Sequence, residues 1–282
     1  MGVIVGLCVV FGCVVGGYLM AHGALGILWQ PAEFVIIFGA AFGVFIITSS
    51  GQVMKNVLHS MKGMLSARHY TEKDYMELLQ VLNSVFSVVK KQGLVALEAH
   101  LDKPQKSPIF ARHKNFLKNE HALHLTTDSF RMLCSSKMEA HQLDSLMEAE
   151  IDAYHEEMMA SSKNVANIGD SLPGLGIVAA VLGVVITMQK INEPPEVLGH
   201  HIGAALVGTF IGILGAYGVV GPLAKKMEWM ADQEKEYLNI LRYIIVGFVG
   251  GLQPQICIEF GRIMIPEPAR PTFLKAEKIL KN

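Results

Sequence analysis

The side chains that could do chemistry in this sequence are few, and they are hydroxyls. Four apolar segments, Gly2–Met20, Phe34–Ser50, Ser171–Met188 and His201–Val220, contain no Asp, Glu, Lys or Arg. The polar side chains that stand out in the last two are Thr187, Thr209 and Tyr217. A hydroxyl in an apolar helix can bond its own helix carbonyl, or it can face a helix interface or a water-filled path. Thr209 lies between Gly208 and Gly212, on a small face that favours the second use. No nucleophile, base and orienter are grouped, and no phosphate-binding glycine loop of Walker type is present. The four cysteines, Cys8, Cys13, Cys134 and Cys257, have neither a disulfide framework nor metal-ligand spacing. The reading is therefore a non-enzyme with no catalytic residues, no metal and no cofactor. A chain that crosses a membrane four times on such segments cannot itself carry an ion. The charge-handling group is expected on another polypeptide.

The elements that must position these residues follow from composition. Of 282 residues, 51% are hydrophobic and 17% charged, with a mean hydropathy of +0.37. That balance is too apolar for an ordinary soluble domain. Segments of about 17–20 residues reach about 26–30 Å as helices, close to the hydrocarbon thickness of a bilayer. The first segment has no basic flank, since residues 1–54 hold no Lys or Arg, so it reads as a retained helix and not a leader. The net charge of -1 gives no reason to expect nucleic acid.

Positive charge sets the orientation. Residues 21–33 carry no Lys or Arg and 189–200 carry only Lys190, whereas 51–170 carry fourteen and 221–282 nine. The short loops are expected outside, and the large block, the tail and both termini in the cytoplasm. Trp29 beside Pro31 suits an interfacial anchor, Pro194–Pro195 a rigid turn, and His200 and His201 a membrane edge. The fold class is all-α membrane protein, with four transmembrane helices and a large helical cytoplasmic domain between the second and third. Four regions follow: 1–50 as the first transmembrane pair, 51–168 as the cytoplasmic helical domain, 169–222 as the second pair, and 223–282 as a cytoplasmic helix and tail.

Within the block, Tyr75, Leu78, Leu79, Leu82, Val85, Phe86 and Val89 recur at helical spacing, and Lys90 and Lys91 end that helix before Gly93. A second helix is expected at about 140–159, with Leu143, Leu146, Met147, Ile151, Tyr154 and Met158 on one side. Its other side is acidic: Glu139, Asp144, Glu148, Asp152, Glu156 and Glu157. A charged helix over about 223–242 follows the last span. The apolar run 243–252 is too short and too glycine-rich to cross a membrane, and is expected to pack on the cytoplasmic helices.

Glycines four apart (Gly2 and Gly6, Gly12 and Gly16, Gly39 and Gly43, Gly208 and Gly212) mark close-packing faces, more than four helices need among themselves. Identical subunits packed side by side are the expectation. Pro173 and Pro222 bracket the last two spans on the cytoplasmic side. Pro173 reads either as a first-turn proline after Asp170 or as half of a flexible collar; Pro222, followed by helix-forming sequence, reads as a bend.

The run Gly169-Asp-Ser-Leu-Pro-Gly-Leu-Gly-Ile-Val-Ala-Ala-Val-Leu-Gly-Val-Val, the run from Ala205 through Gly208-Thr-Phe-Ile-Gly to Gly221-Pro-Leu, and the tail's Gln253-Pro-Gln-Ile-Cys-Ile-Glu-Phe-Gly-Arg and Arg270-Pro-Thr-Phe resemble the MotA family, the A subunits of bacterial flagellar stators. The resemblance spans the chain. It implies a ring of five A subunits in the inner membrane around a dimer of B subunits, MotB, each giving one helix with an ion-binding aspartate. Torque then passes to the rotor protein FliG. On this resemblance Pro173 and Pro222 fall on functionally important prolines and Thr209 on a threonine near the ion path, with Ala180 and Tyr217 along the same interface. Glu98 matches an acidic rotor-contact residue, and Lys90 stands where an arginine is common. Sodium-using relatives carry threonine where Ala180 stands, so the implied ion is H⁺, with Na⁺ the lesser expectation. The alternative is a proton-driven energiser of envelope transport of the ExbB or TolQ kind, whose relatives usually have fewer spans.

Overall fold

The computed structural model describes residues 2–65 and 70–281. Among these, every regular element is a helix: α1 (Gly2–Met20), α2 (Leu25–Leu28), α3 (Pro31–Thr48), α4 (Gly51–Leu65), α5 (Glu72–Gln92), α6 (Glu98–Asp102), α7 (Lys114–Lys118), α8 (Glu120–Ser135), α9 (Ala140–Met188), α10 (Pro195–Ile213), α11 (Gly221–Val249), α12 (Pro254–Met264) and α13 (Phe273–Lys281). Four helical stretches are long and apolar enough to cross a membrane: Gly2–Met20, Leu25–Thr48, Ala140–Met188 and Pro195–Val249. The chain forms two compact units, one of Met1–Arg68 and Glu157–Ala231, the other of His69–Glu156 and Asp232–Asn282.

The structure differs from the sequence reading in three places. The second apolar helix begins at Pro31, not Phe34, and so includes Glu33. The expected helix near 140–159 and the third span are one element of 49 residues, α9, with Pro173 in its interior. Nothing between Met159 and Ser171 breaks a helix, apart from the tolerated Gly169. Pro173 is therefore not a first-turn proline. Its ring removes one helical bond, to the Gly169 carbonyl, within an otherwise continuous ladder. The fourth span starts earlier than His201, with Pro195 in the first turn of α10, where a missing N–H costs nothing.

In the first unit, Ile37 and Ala41 of α3 pack with Leu172 and Ala179 of α9 and with Val207, Ile211 and Ala216. A second cluster joins Val57 and Met64 of α4 to Val165, Ala224 and Met227. The hydroxyl of Ser162 donates to the Ala224 carbonyl at 2.8 Å and Asn56 Nδ2 to Glu157 Oε1 at 2.7 Å. Helix α1 buries no residue in this chain. No neighbouring atom stands within 4 Å of a side chain placed at Gly2, Gly6, Gly12, Gly16, Gly39 or Gly43. These small faces are open toward whatever surrounds a single copy.

The second unit has the larger core. Tyr75, Leu78, Leu79, Leu82, Val85 and Phe86 of α5 meet Leu125 and Phe130 of α8, Leu143, Met147 and Ile151 of α9, and Tyr237, Leu241, Ile244 and Ile245 of α11. Each such fully buried side chain contributes about 1.5–3 kcal/mol. The run beginning at Tyr243 extends α11 into this core, as expected for a segment too short to span. Helix α5 opens with a capping box between Thr71 and Asp74 and closes at Gly93, whose φ is 86° and whose N–H bonds the Val89 carbonyl. Asn119 caps α8 through Ala122 N–H at 2.9 Å, and its amide donates to Glu234 at 2.9 Å and to the Tyr70 hydroxyl at 2.8 Å. The Tyr70 hydroxyl donates in turn to Glu234.

Three carboxylates of α9's acidic side are paired with α11. Arg242, with a side chain only 7% exposed, meets Asp144 at 2.6 Å and Glu148 at 3.1 Å. Lys235 meets Asp152 at 2.8 Å.

Candidate functional site

The seam between α9 and α10 is built from absent side chains. A Cβ at Gly176 would lie 2.8 Å from the Gly208 carbonyl oxygen, 3.1 Å from Gly212 Cα and 3.3 Å from Thr209 Cα. One at Gly212 would lie 2.6 Å from the Leu172 carbonyl, and one at Gly183 2.6 Å from Ala205 Cβ. Only hydrogen fits at these positions, so the two backbones approach as in close-packed membrane helices. Ala180 and Thr209, assigned to the ion path and partner interface by the resemblance, both lie at this seam. The Ala180 nitrogen lies 3.2 Å from the place a Gly208 Cβ would take. Thr187 donates its hydroxyl to the Gly183 carbonyl of its own helix at 2.8 Å.

Below the seam, residues Leu214–Val220 form a π-helical turn, with the Gly221 N–H bonding the Ala216 carbonyl five residues back. Wide turns of this kind are rare and occur often at functional sites. Tyr217 lies in this turn with its side chain 71% exposed, away from the chain's own packing. Pro222 follows as the second residue of α11 and is exposed. Pro173 is half-buried, one residue past Leu172, whose carbonyl abuts Gly212.

The remaining two sequence candidates lie elsewhere. Lys90 is in the last turn of α5 and Glu98 is the first residue of α6; both are exposed on the second unit. Neither stands at the α9–α10 seam. Burial, and secondarily the nearby Glu98 carboxylate, push the Cys134 thiol up.

Sequence reasoning missed Glu33. In the first turn of α3 an acid ordinarily faces water and complements the helix dipole. Here Glu33 is 8% exposed and its Oε2 has no hydrogen-bond partner. That oxygen lies 2.5 Å from the ideal Cβ position of Gly208, and Oε1 lies 3.5 Å from that of Gly183. The expectation that the apolar helices hold no carboxylate is corrected by this residue. Its adjacency to Pro31 marks a helix start, and nothing in the sequence says that it turns inward. Among the described residues no cluster of His, Cys, Asp and Glu could hold a metal ion.

Four apolar helices, a glycine seam between the last two and a large helical unit define a multi-pass, all-helical membrane protein. Residues 113–239 match the MotA/TolQ/ExbB proton channel family, and residues 4–93 match the family described as Motility protein A N-terminal. The chain is similar to Motility protein A of Escherichia coli (strain K12), 36% identical over 99% of this chain and 94% of that protein. It is similar also to Chemotaxis protein LafT of Vibrio parahaemolyticus, 35% identical over 98% and 96%. The chain belongs to the motility protein A family of the MotA/TolQ/ExbB proton channels. Its fold matches a chain of C. jejuni MotAB, with TM-score 0.79 at 16% identity, 96% of this chain and 98% of that one being covered. It likewise matches a chain of the flagellar MotAB stator complex from Bacillus subtilis, with TM-score 0.76 at 20% identity and the same coverage.

Proposed function

We propose that this chain is the A subunit of a flagellar stator. Several copies, five by family resemblance, surround the membrane helices of a MotB dimer in the bacterial inner membrane, with both termini in the cytoplasm. Protons passing along the seam turn the ring, and the cytoplasmic unit pushes on FliG. The chain acts as a motor part and catalyses no covalent reaction.

The observation that carries this reading is the seam itself, in a chain related to motility protein A along its whole length. Ala180 offers no oxygen and Thr209 one hydroxyl, so no complete cation site is assembled there and a partner's carboxylate completes it. The same poverty favours a proton, because a partly dehydrated Na⁺ needs several oxygen ligands. One charge crossing 100 mV releases about 2.3 kcal/mol, a few times thermal energy and enough to bias a small step. The open glycine faces of α1 and α3 suit packing against further copies or lipid.

The test is swimming speed of cells carrying this chain with its B partner, at fixed membrane voltage. Speed is expected to follow the proton gradient, and proton flux to vanish when the partner's membrane aspartate is replaced. Speed that follows external Na⁺ at fixed pH refutes the proton assignment. Absence from purified flagellar basal bodies, with recovery in an envelope transport complex, would favour the ExbB or TolQ kind of energiser instead.

A further inference from the structure

Glu33 has no structural employment that accounts for its burial. Among the described residues it forms no ion pair, its Oε2 is unpartnered, and it is more than nine-tenths buried. The surfaces it faces are apolar: Gly183 and Ala179 of α9, Ala205 and Gly208 of α10. A carboxylate in such a seam is costly unless a proton or a cation joins it. Those four residues carry no side-chain oxygen to complete a metal ion's shell, whereas a proton needs no such shell.

Gly208 links this carboxyl to the path. Its missing Cβ marks a point 2.5 Å from Glu33 Oε2 and 3.2 Å from the Ala180 nitrogen. A charge on Glu33 is therefore felt at Ala180 through low-dielectric protein, where screening by water and salt is weak. The charged and titratable groups of the neighbouring elements are Glu196, His200 and His201 near the start of α10, and Lys190 and Glu193 beyond the end of α9. Lys190 and His201 engage each other at 3.0 Å, and none of the five pairs with Glu33 Oε2.

We propose that Glu33 is a second proton-binding group of the conducting assembly, carried by the A chain behind the Ala180–Gly208 seam. A proton passes from hydronium on the side of the 21–30 loop to a carboxylate oxygen, leaving water, and returns the same way. No other bond forms or breaks. The occupancy of Glu33 then sets the field along the path, so motor output depends on outside pH through this residue as well as through the partner's aspartate. The inference rests on the stator reading above.

The experiment uses the full complex of this chain with its B partner, labelled with carboxyl-¹³C glutamate. Infrared difference spectra between neutral and mildly acidic pH are recorded, and swimming speed is measured against outside pH at fixed voltage. A glutamate-shifted carboxylic-acid band is expected in the wild type and is lost in Glu33→Gln, whose speed responds less to pH at equal membrane abundance. If Glu33→Gln does not reach the membrane, Glu33→Asp is expected to retain the acid band without the glutamate label shift. A wild type with no labelled acid band overturns the inference without any variant. So does a band and a pH response left unchanged by the substitutions in a complex that conducts protons normally. A wild-type complex that conducts no protons overturns instead the motor reading on which the inference rests.

Discussion

Gly212 and Gly176 hold the third and fourth membrane helices together by having nothing to put between them. A methyl at Gly212 would stand 2.6 Å from the Leu172 carbonyl and 2.9 Å from Gly176 Cα, both backbone atoms that cannot step aside alone. Gly212→Ala is expected to force the helices apart at a cost of about 1–3 kcal/mol. Thermal unfolding of the detergent-solubilised complex measures it. Gly12→Ala, where the chain itself offers open space, is expected to cost less than Gly212→Ala in the same measurement. Equal stability of the two variants would remove the close-packing account.

Pro173 and Pro222 interrupt helices that continue on both sides of them. Each deletes a backbone bond at the Leu172 end of the seam. Alanine at either site restores the N–H and stiffens the ladder. Motility is expected to be lost with assembly retained, as read from swimming and from co-purification with the B partner. Normal swimming of either variant would dismiss the collar.

Lys90 and Glu98 are exposed, and their substitution leaves no buried group unsatisfied. Reversing both, Lys90→Glu with Glu98→Lys, is expected to lower torque on a tethered cell several-fold while changing folding stability by no more than about 0.5 kcal/mol. Loss of the protein from the membrane in proportion to the loss of torque would assign these residues a folding role instead.

Arg242 is buried between two carboxylates of α9. Asp144→Asn leaves Glu148 as its counter-charge and is expected to cost about 1 kcal/mol, whereas Asp144→Asn with Glu148→Gln strands a buried cation and is expected to cost about 3–5 kcal/mol. Chemical denaturation of the complex, followed by loss of helical signal, checks both. Additive effects of the two single changes would indicate that they act independently.

The apolar spans and the α5 stripe were legible because period and length report burial directly: six of the seven stripe residues, from Tyr75 to Phe86, are in the core and Val89 packs against it. The ends of elements were less legible. Asp170 followed by Ser171, Leu172 and Pro173 has the composition of a helix start, yet a helix already under way passes through it, because tertiary packing around Leu172 outweighs one lost hydrogen bond. The pairing of α9's acidic face was not legible because its partners, Lys235 and Arg242, are on another helix far along the chain. Glu33 was hidden for the same reason. Whether a first-turn acid meets water or glycine depends on Gly183 and Gly208, more than a hundred residues away.

The π-helical turn at Leu214–Val220 holds one amino acid more than its rise requires. Were that surplus handed along the chain, everything beyond it would swing by about 100° about the helix axis, since an α-helix advances 3.6 residues per revolution. Pro222, which cannot donate the bond that would lock the tighter winding, stands immediately downstream. The chain thus carries, at the junction of α10 and α11, one residue of spare winding beside a proline that leaves it unlocked.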